Sequence, residues 1–363
     1  KIFGMDNAWA RYECQLKLPG FGTEGQGRLA AASVLVAGAG GLGCPAALYL
    51  AAAGIGKLGI ADYDTVSTTN LHRQVLYGPE DIGCPKSIVV AARLRKQNPG
   101  IEVVPIVEKI RLNNVMEILG GFDLVVDGTD NFETRYLLND ACVLQKKPFI
   151  MGSIYQHQGI LSVLNVQNAD GTFSPHYRDL FPTINPAQIP DCTEGGVMPT
   201  LAGMIGCMEA GEAIKYLIGD AGLLSGKMFV LDSKTMQSHV IGTGQRSSIE
   251  VIELPAYAEV PAISVDELRE YFDHEKYLLI DVREKSERNL FHIGGRHIPL
   301  QDLDTCLSKE DVSGRVLFYC QTGRRSEDAA RLASKKFPGG AFYSLEGGLR
   351  AWSLSASAIT EKT

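Results

Sequence analysis

The stretch Ser33-Val34-Leu35-Val36-Ala37-Gly38-Ala39-Gly40-Gly41-Leu42-Gly43 carries an apolar, strand-like run straight into a glycine loop. Residues 44–53 then read as a helix. A glycine motif Gly38-x-Gly40-x-x-Gly43 placed between strand and helix has the context that gives it meaning. Gly38 permits a tight turn, Gly40 lets backbone approach a phosphate, and Gly43 lets helix and strand pack closely, with Gly41 in the same loop. The helix N-terminus offers unpaired N–H groups and a positive dipole end to an anion. Asp62 follows Gly38 at roughly the 20-residue spacing of an acid that accepts bonds from ribose hydroxyls. These residues point to a nucleotide site.

Outward from that loop, short apolar runs alternate with amphipathic stretches. Strands are expected at 34–37, 58–61, 103–106, 124–126 and 149–152, and helices at 44–53, 87–97 and 132–144. This alternation predicts an α/β fold with a Rossmann-like, doubly wound parallel sheet. Strands at 161–166 and 228–232 either continue that sheet or pair antiparallel. Residues 201–217 form a long apolar helix ending near Gly219. Between 173 and 199 five prolines interrupt the pattern, and the segment reads as a mobile crossover near the active site. Residues 253–261 read as a linker. A smaller α/β pattern follows, with helices at 265–271 and 327–336 and strands at 277–282, 315–319 and 341–345. The expected domains are 1–252 and 262–363.

The residues after Asp62 separate two nucleotide chemistries. Asp64, Thr69, Asn70, Leu71, His72, Arg73 and Gln74, then Lys86, place polar and cationic groups shortly after the acid. Arg73 can grip phosphate oxygens in pairs and Lys86 can neutralise them as a point charge. A triphosphate fits this better than a hydride-carrying dinucleotide. Asp130 and Asn131 follow the strand at 124–126, beyond the carboxyl end where open sheets bind ligands. Asp130 can hold Mg²⁺ through one carboxylate while phosphates and waters complete the shell; the same acid could instead cap a turn.

The chain has 363 residues, 45% hydrophobic and 21% charged, with a net charge of -7. That composition suits a soluble globular protein and argues against a general nucleic-acid partner. No run is long enough to span a bilayer and no signal-peptide pattern is present, so a cytoplasmic location is expected. The eight cysteines are scattered without C-x-x-C spacing, which argues against a disulfide scaffold or a four-cysteine zinc site.

Arg11-Tyr12, Gly38–Gly43, Asp62-x-Asp64, Thr69–Gln74, Lys86 and Asp127-Gly-Thr-Asp130-Asn131 together resemble the E1-like adenylyltransferases over residues 8–245. The resemblance implies ATP with Mg²⁺ and a homodimer. It implies that Asp62 holds ribose, that Asn70, Arg73 and Lys86 hold phosphates, and that Asp130 handles the metal. It implies as substrate the C-terminal Gly-Gly carboxylate of a small ubiquitin-like sulfur carrier protein. Carriers serving molybdenum cofactor (molybdopterin) synthesis, thiamine synthesis and tRNA thiolation all remain open. Two departures stand out. Cys14 occupies the place of a family arginine that reaches the partner subunit's ATP. His176-Tyr-Arg-Asp179 and Gly244-Gln-Arg-Ser-Ser248 occupy the places of two zinc-binding cysteine pairs, so no zinc is expected; His176 and Asp179 read as surface residues, with metal ligation the lesser alternative.

Two cysteines carry functional readings. Cys192, in Asp191-Cys-Thr-Glu-Gly195, matches the position of a family cysteine that attacks the activated carboxylate or resolves an acyl disulfide; a buried, inert thiol is the alternative. Cys320-Gln321-Thr-Gly323-Arg324-Arg325-Ser326 places a cysteine between a strand and a helix, where loop amides, the helix's positive end and two arginines could stabilise a sulfur anion. This loop, with Asp281-Val-Arg283, His292, His297-Ile-Pro299 and Glu346-Gly-Gly348-x-x-Ala-Trp352, resembles the rhodanese family over 260–355. The resemblance implies a persulfide on Cys320, loaded by a donor such as a cysteine desulfurase. The expected activity is therefore adenylation of a carrier followed by sulfur transfer to a thiocarboxylate. Alternatives are an E1-type activator for protein conjugation and a weakly active carrier-binding scaffold.

Overall fold

β1 (Ser33–Ala37) lies in the middle of the larger sheet because Val34, Leu35, Val36 and Ala37 are all fully buried. Alternate residues point to opposite faces of a strand, so Val34 and Val36 join one core layer and Leu35 and Ala37 the other. The computed structural model describes residues 7–182, 196–254, 260–271, 277–309, 311–312 and 314–353.

β2 (Lys57–Ala61), β3 (Glu102–Ile106), β4 (Leu124–Asp127), β5 (Phe149–Tyr155), β6 (Gln158–Leu164), β7 (Lys227–Asp232) and β8 (Gln237–Gly242) complete the sheet in the order β3-β2-β1-β4-β5-β6-β7-β8. β3 to β5 run parallel in that order, and β6, β7 and β8 are added antiparallel. The strand order reverses between β1 and β4. In an open α/β sheet such a switch point leaves a crevice at the strands' carboxyl ends, where ligands bind.

Helices Gly43–Ala53, Lys86–Gln97 and Pro199–Ile218 cover one face, and Val115–Gly120 and Phe132–Leu144 the other. Small residues make the first layer tight. A Cβ on Gly206 would lie 2.3 Å from the Leu42 carbonyl oxygen, so the long helix crosses directly over the end of the glycine loop. Each fully buried Leu or Val in these layers contributes about 2 kcal/mol of apolar burial.

A second unit, Ala256–Thr363, is separate from Lys1–Pro255. β9 (Ala262–Ile263), β10 (Leu278–Asp281), β11 (Arg296–His297), β12 (Arg315–Tyr319) and β13 (Ala341–Leu345) form a parallel sheet in the order β11-β10-β12-β13-β9. Helix Arg324–Lys336 packs on β12 and β13 through Ala329, Ala330 and Ala333.

The strands expected at 161–166 and 228–232 both continue the main sheet and pair antiparallel within it. β8 was not expected because every residue in it is exposed, so it lacks an apolar pattern. Helices Gly22–Ala31 and Val115–Gly120 were also missed. Part of the expected crossover is ordered core: Ser174, His176 and Tyr177 are buried, and Tyr177 packs edge-on against Tyr136 and tilted against Phe181, with ring centroids 5.0 Å apart in each pair. The rest of it, including Cys192, lies outside the described residues. Among the described residues, no helix is long and apolar enough to cross a membrane.

Candidate active sites

The glycine loop is locked from below. Gly38 has φ +95°, and a Cβ there would lie 2.6 Å from the Gly128 carbonyl oxygen. A Cβ on Gly43 would lie 1.8 Å from the Gly38 carbonyl oxygen. Only glycine fits both places. Tyr77 Oη (2.8 Å) and Cys44 Sγ (3.3 Å) both donate to the Ala39 carbonyl. Nothing comes within 3.8 Å of the Cβ position of Gly40, so backbone there is open to a ligand.

Asp62, just past β2, is tied to this loop. Ala39 N–H donates to its Oδ2 at 2.8 Å, and Asp64 N–H to its Oδ1 at 2.8 Å. Burial pushes its carboxyl above the usual carboxylate range, helped by Asp64, while the charge of Lys86 and the two amides pull the other way. Lys86 starts the helix Lys86–Gln97. Its side chain is buried, with Nζ 3.0 Å from Asp64 Oδ2.

Segment 69–74 divides its labour. Arg73 is half-buried, and its Cγ and Cδ lie 3.6 Å from where a Gly41 Cβ would stand, so its stem runs along the glycine loop. Its Nη1 donates to the Thr69 carbonyl at 3.1 Å and approaches His72 Nε2 at 3.3 Å. Gln74 is buried, with Nε2 3.8 Å from the Cβ position of Gly40 and Oε1 without a partner. The others are largely structural. Asn70 Oδ1 accepts from the Ser67 amide (3.1 Å) and hydroxyl (3.0 Å), capping a short helical turn. Thr69 Oγ1 is 3.0 Å from Ser67 Oγ, and Leu71 packs on the core instead of lining the loop.

Asp130 is exposed beyond β4, two residues past Gly128. A Cβ on Gly128 would lie 2.8 Å from the Gly38 carbonyl oxygen, so the β1 and β4 loops interlock. Asn131 caps helix Phe132–Leu144, its Oδ1 accepting from Thr134 N–H at 2.8 Å. Arg11 and Cys14 are exposed; Arg11 donates to the Gln97 carbonyl at 3.0 Å, closing a helix end.

His176 and Asp179 are not surface residues. Asp179 accepts five hydrogen bonds: from the amides of His176, Ser248 and Ile249 and the hydroxyls of Ser247 and Ser248, all within 3.0 Å. His176 Nε2 lies 2.9 Å from the Ile249 carbonyl, and its Nδ1 accepts from Arg178 N–H at 3.2 Å. Where the resemblance led to an expectation of two cysteine pairs, the two segments are tied by a carboxylate clasp. Its oxygens and both ring nitrogens already have partners, and serine hydroxyls are poor zinc ligands, so this donor set does not fit zinc. Burial works to raise the Asp179 carboxyl, yet its donors hold it below the usual range.

In the second unit, β12 delivers Cys320 to a loop ending in helix Arg324–Lys336. Cys320 is buried, and its Sγ accepts from Gly323 N–H at 3.2 Å and faces Ser326 Oγ at 3.7 Å. Gly323 has φ +95°, which aims its amide at the sulfur. Gln321 Oε1 lies 3.5 Å from Nη1 of Arg283, which is paired to Asp281 at 2.8 Å beneath the loop. Arg325 is turned to Glu287 in a two-bond pair at 2.7 Å. The Arg324 side chain lies outside the described residues.

Residues 12–249 match the ThiF family. This chain belongs to the ThiF family. Residues 264–355 match the rhodanese-like domain. The ThiF chain is 37% identical over 363 residues, 94% of its own length and 92% of the relative's, to the probable adenylyltransferase/sulfurtransferase MoeZ of Mycobacterium tuberculosis. It is 46% identical over 224 residues, 61% of the chain and 83% of the relative, to the sulfur carrier protein adenylyltransferase of Thermus thermophilus. Its fold matches the crystal structure of E. coli MccB with ATP at a TM-score of 0.58 and 22% identity, covering 68% of this chain and 74% of that one.

The sequence singled out Arg73, Lys86, Asp62 and the glycines, which the fold brings to one rim. It quoted Asp127 only as part of a motif and passed over Arg135; the structure joins the two in a buried ion pair. Their separation in sequence gives no hint that a buried ion pair joins them.

Proposed function

We propose that this ThiF-family enzyme uses ATP to adenylate the C-terminal Gly-Gly carboxylate of a ubiquitin-like sulfur carrier, then transfers sulfur to it from a persulfide on Cys320. The observation that carries the reading is one chain holding both sites: a glycine loop flanked by Arg73 and Lys86, and a buried Cys320 whose Sγ accepts a loop amide. The domain limits read from the sequence, with a linker at 253–261, go with it.

A carboxylate is already a nucleophile, so the first step needs no general base. The barrier is bringing one anion to another and stabilising the pyrophosphate that leaves. Arg73 and Lys86 serve this by cationic stabilisation at the glycine loop, with Asp62 and its tied amides orienting the ribose. A single exposed carboxylate, Asp130, suits Mg²⁺, which keeps several waters and takes its other ligands from phosphate. When bound, Mg²⁺ supplies further charge neutralisation.

In the second step the terminal sulfur of the Cys320 persulfide attacks the acyl carbon. The C–S bond forms, the C–O bond to AMP breaks, and an acyl disulfide remains. A second thiolate, from Cys192 or from solution, attacks the Cys320 sulfur. The thiocarboxylate leaves with the electron pair, and a disulfide is left on the protein. A cysteine desulfurase reloads Cys320 once an external thiol has reduced that disulfide. A homodimer in a reducing cytoplasm completes the reading, which the exposed free thiols of Cys14, Cys84 and Cys306 fit.

ATP–pyrophosphate exchange against a panel of purified Gly-Gly-ended carriers tests this. Exchange with at least one, and thiocarboxylate formation that stops in Cys320→Ala while exchange persists, is the expected result. No exchange with any carrier, or sulfur transfer retained in Cys320→Ala without another donor domain, refutes it.

A further inference from the structure

The loop after β4 is held by a buried ion pair that neither step of the proposed reaction uses. Asp127 ends β4 and is fully buried; Arg135, in the first turns of helix Phe132–Leu144, is 5% exposed. Arg135 Nε donates to Asp127 Oδ2. Asp127 Oδ1 accepts from both the amide (3.0 Å) and the hydroxyl of Thr129. Arg135 Nη2 donates to the Thr129 carbonyl at 3.0 Å and to the Gly152 carbonyl on β5 at 3.1 Å. One ion pair therefore grips Thr129 at its nitrogen, its hydroxyl and its oxygen. The residue before Thr129 is Gly128, wedged against Gly38 and Gly43; the residue after it is Asp130.

Burying two charges seldom gains stability over an apolar pair of similar size, so what this pair holds accounts for it better than what it stabilises. We infer that Asp127 and Arg135 are positioning residues that fix the Asp130 carboxylate against the phosphate cradle, by clamping Thr129 from both sides. The inference rests on the proposed metal role of Asp130. Reaction geometry tolerates little slack, since a shift of about 1 Å can cost on the order of a hundredfold in rate. With Thr129 released, the peptide carrying Asp130 can rotate although the glycine loop stays intact.

The test is the affinity for ATP, measured by calorimetry on the full chain with and without Mg²⁺. Wild type is expected to bind ATP more tightly with Mg²⁺, and Asp130→Asn to lose that gain. Arg135→Lys keeps the charge but cannot reach Asp127, Thr129 and Gly152 together. It is expected to keep the Mg²⁺-free affinity within about twofold and to cut the Mg²⁺-dependent gain about tenfold, a coupling of ordinary size. Thr129→Val, which keeps the shape and the ion pair, is expected to act in the same direction more weakly and covers the case in which Arg135→Lys does not fold. A gain that survives in both variants overturns the inference. So does ATP affinity lost equally with and without Mg²⁺, which would mark general damage. If Asp130→Asn itself keeps the full gain, the metal reading of Asp130 fails, and an Arg135 effect seen alongside it must act by another route, which also overturns the inference.

Discussion

Lys86 donates to Asp64 across 3.0 Å with its side chain only 6% exposed, although it is a lysine at the start of a helix. Surface lysines normally keep their ammonium in water, and a helix N-terminus is an unfavourable place for a cation. Two carboxylates, Asp62 and Asp64, hold this one inside, beside the glycine loop to which Asp62 is tied.

The first prediction comes from that placement. On the proposed reading, Lys86→Ala removes a charge-assisted donor to phosphate and leaves Asp62 and Asp64 unopposed next to a polyanion. ATP affinity is expected to fall about tenfold to a hundredfold, the worth of one hydrogen bond to a charged group. Calorimetric titration with ATP checks this, and an unchanged Kd removes Lys86 from the site.

Glu209, in helix Pro199–Ile218, is fully buried against Gly152, and neither carboxylate oxygen has a hydrogen-bond partner. Burial, then the nearby charge of Asp127, pushes its carboxyl well above the usual range, against the weaker pulls of Arg135 and the nearby Gly152 amide. The unfolded chain ionises this group near pH 4.5, and the folded chain holds its proton to higher pH. Stability from this group is therefore fully present below pH 4.5 and falls as pH rises toward the folded value, by about 1.4 kcal/mol per pH unit. Glu209→Gln avoids the loss. Thermal melts of the two proteins should coincide near pH 4 and separate in favour of the variant as pH rises; a gap independent of pH refutes the assignment.

The Asp179 clasp is expected to hold segments 176–179 and 247–249 together by hydrogen bonding alone. Asp179→Ala leaves five donors from 176 and 247–249 without their acceptor, at a cost of about 3 kcal/mol. Because the folded carboxyl titrates below its ordinary value of 3.8, its stabilisation is present above that pH and is lost as pH falls through the folded value. The gap between wild type and variant should hold from neutral pH down to about 4 and then close. A chelator should leave the wild-type melting temperature unchanged; a drop reversed by zinc defeats the account.

Much of this was legible in the sequence because it rests on local chemistry. Gly38 and Gly43 announce a turn that only glycine can make, and the strand before them and helix after them fix its place in the sheet. The glycine loop, Asp62, Arg73 and Lys86 follow from spacing on that frame. Asn70, Leu71 and Asn131 sat in the right segment, but their side chains cap turns or fill core, a division that spacing does not encode. The Asp127–Arg135 pairing, Glu209 and the Asp179 clasp were hidden for one reason: polar side chains that the fold buries leave no periodic trace in the sequence. β8 left none either, since a wholly exposed edge strand has no apolar alternation.

The last prediction concerns a glycine far along the chain from Cys320. Gly348 has φ +58°, and a Cβ there would lie 2.4 Å from the Cys320 carbonyl oxygen and 2.7 Å from Gly323 N. Its neighbours complete the brace: Leu349 N–H donates to the Cys320 carbonyl at 2.9 Å and Arg350 N–H to the Gln321 carbonyl at 3.0 Å. Backbone, not a flexible side chain, meets the added methyl, so the loop must move. A shift there takes the Gly323 amide off its 3.2 Å contact with Sγ, the contact that would stabilise a sulfur anion. Gly348→Ala is therefore expected to cut sulfur transfer from thiosulfate to cyanide on the order of a hundredfold, the scale of losing one aimed amide donor. ATP affinity in the same variant should be unchanged, since the nucleotide site belongs to the other unit. Full sulfur-transfer activity in Gly348→Ala would mean that the loop does not depend on this brace.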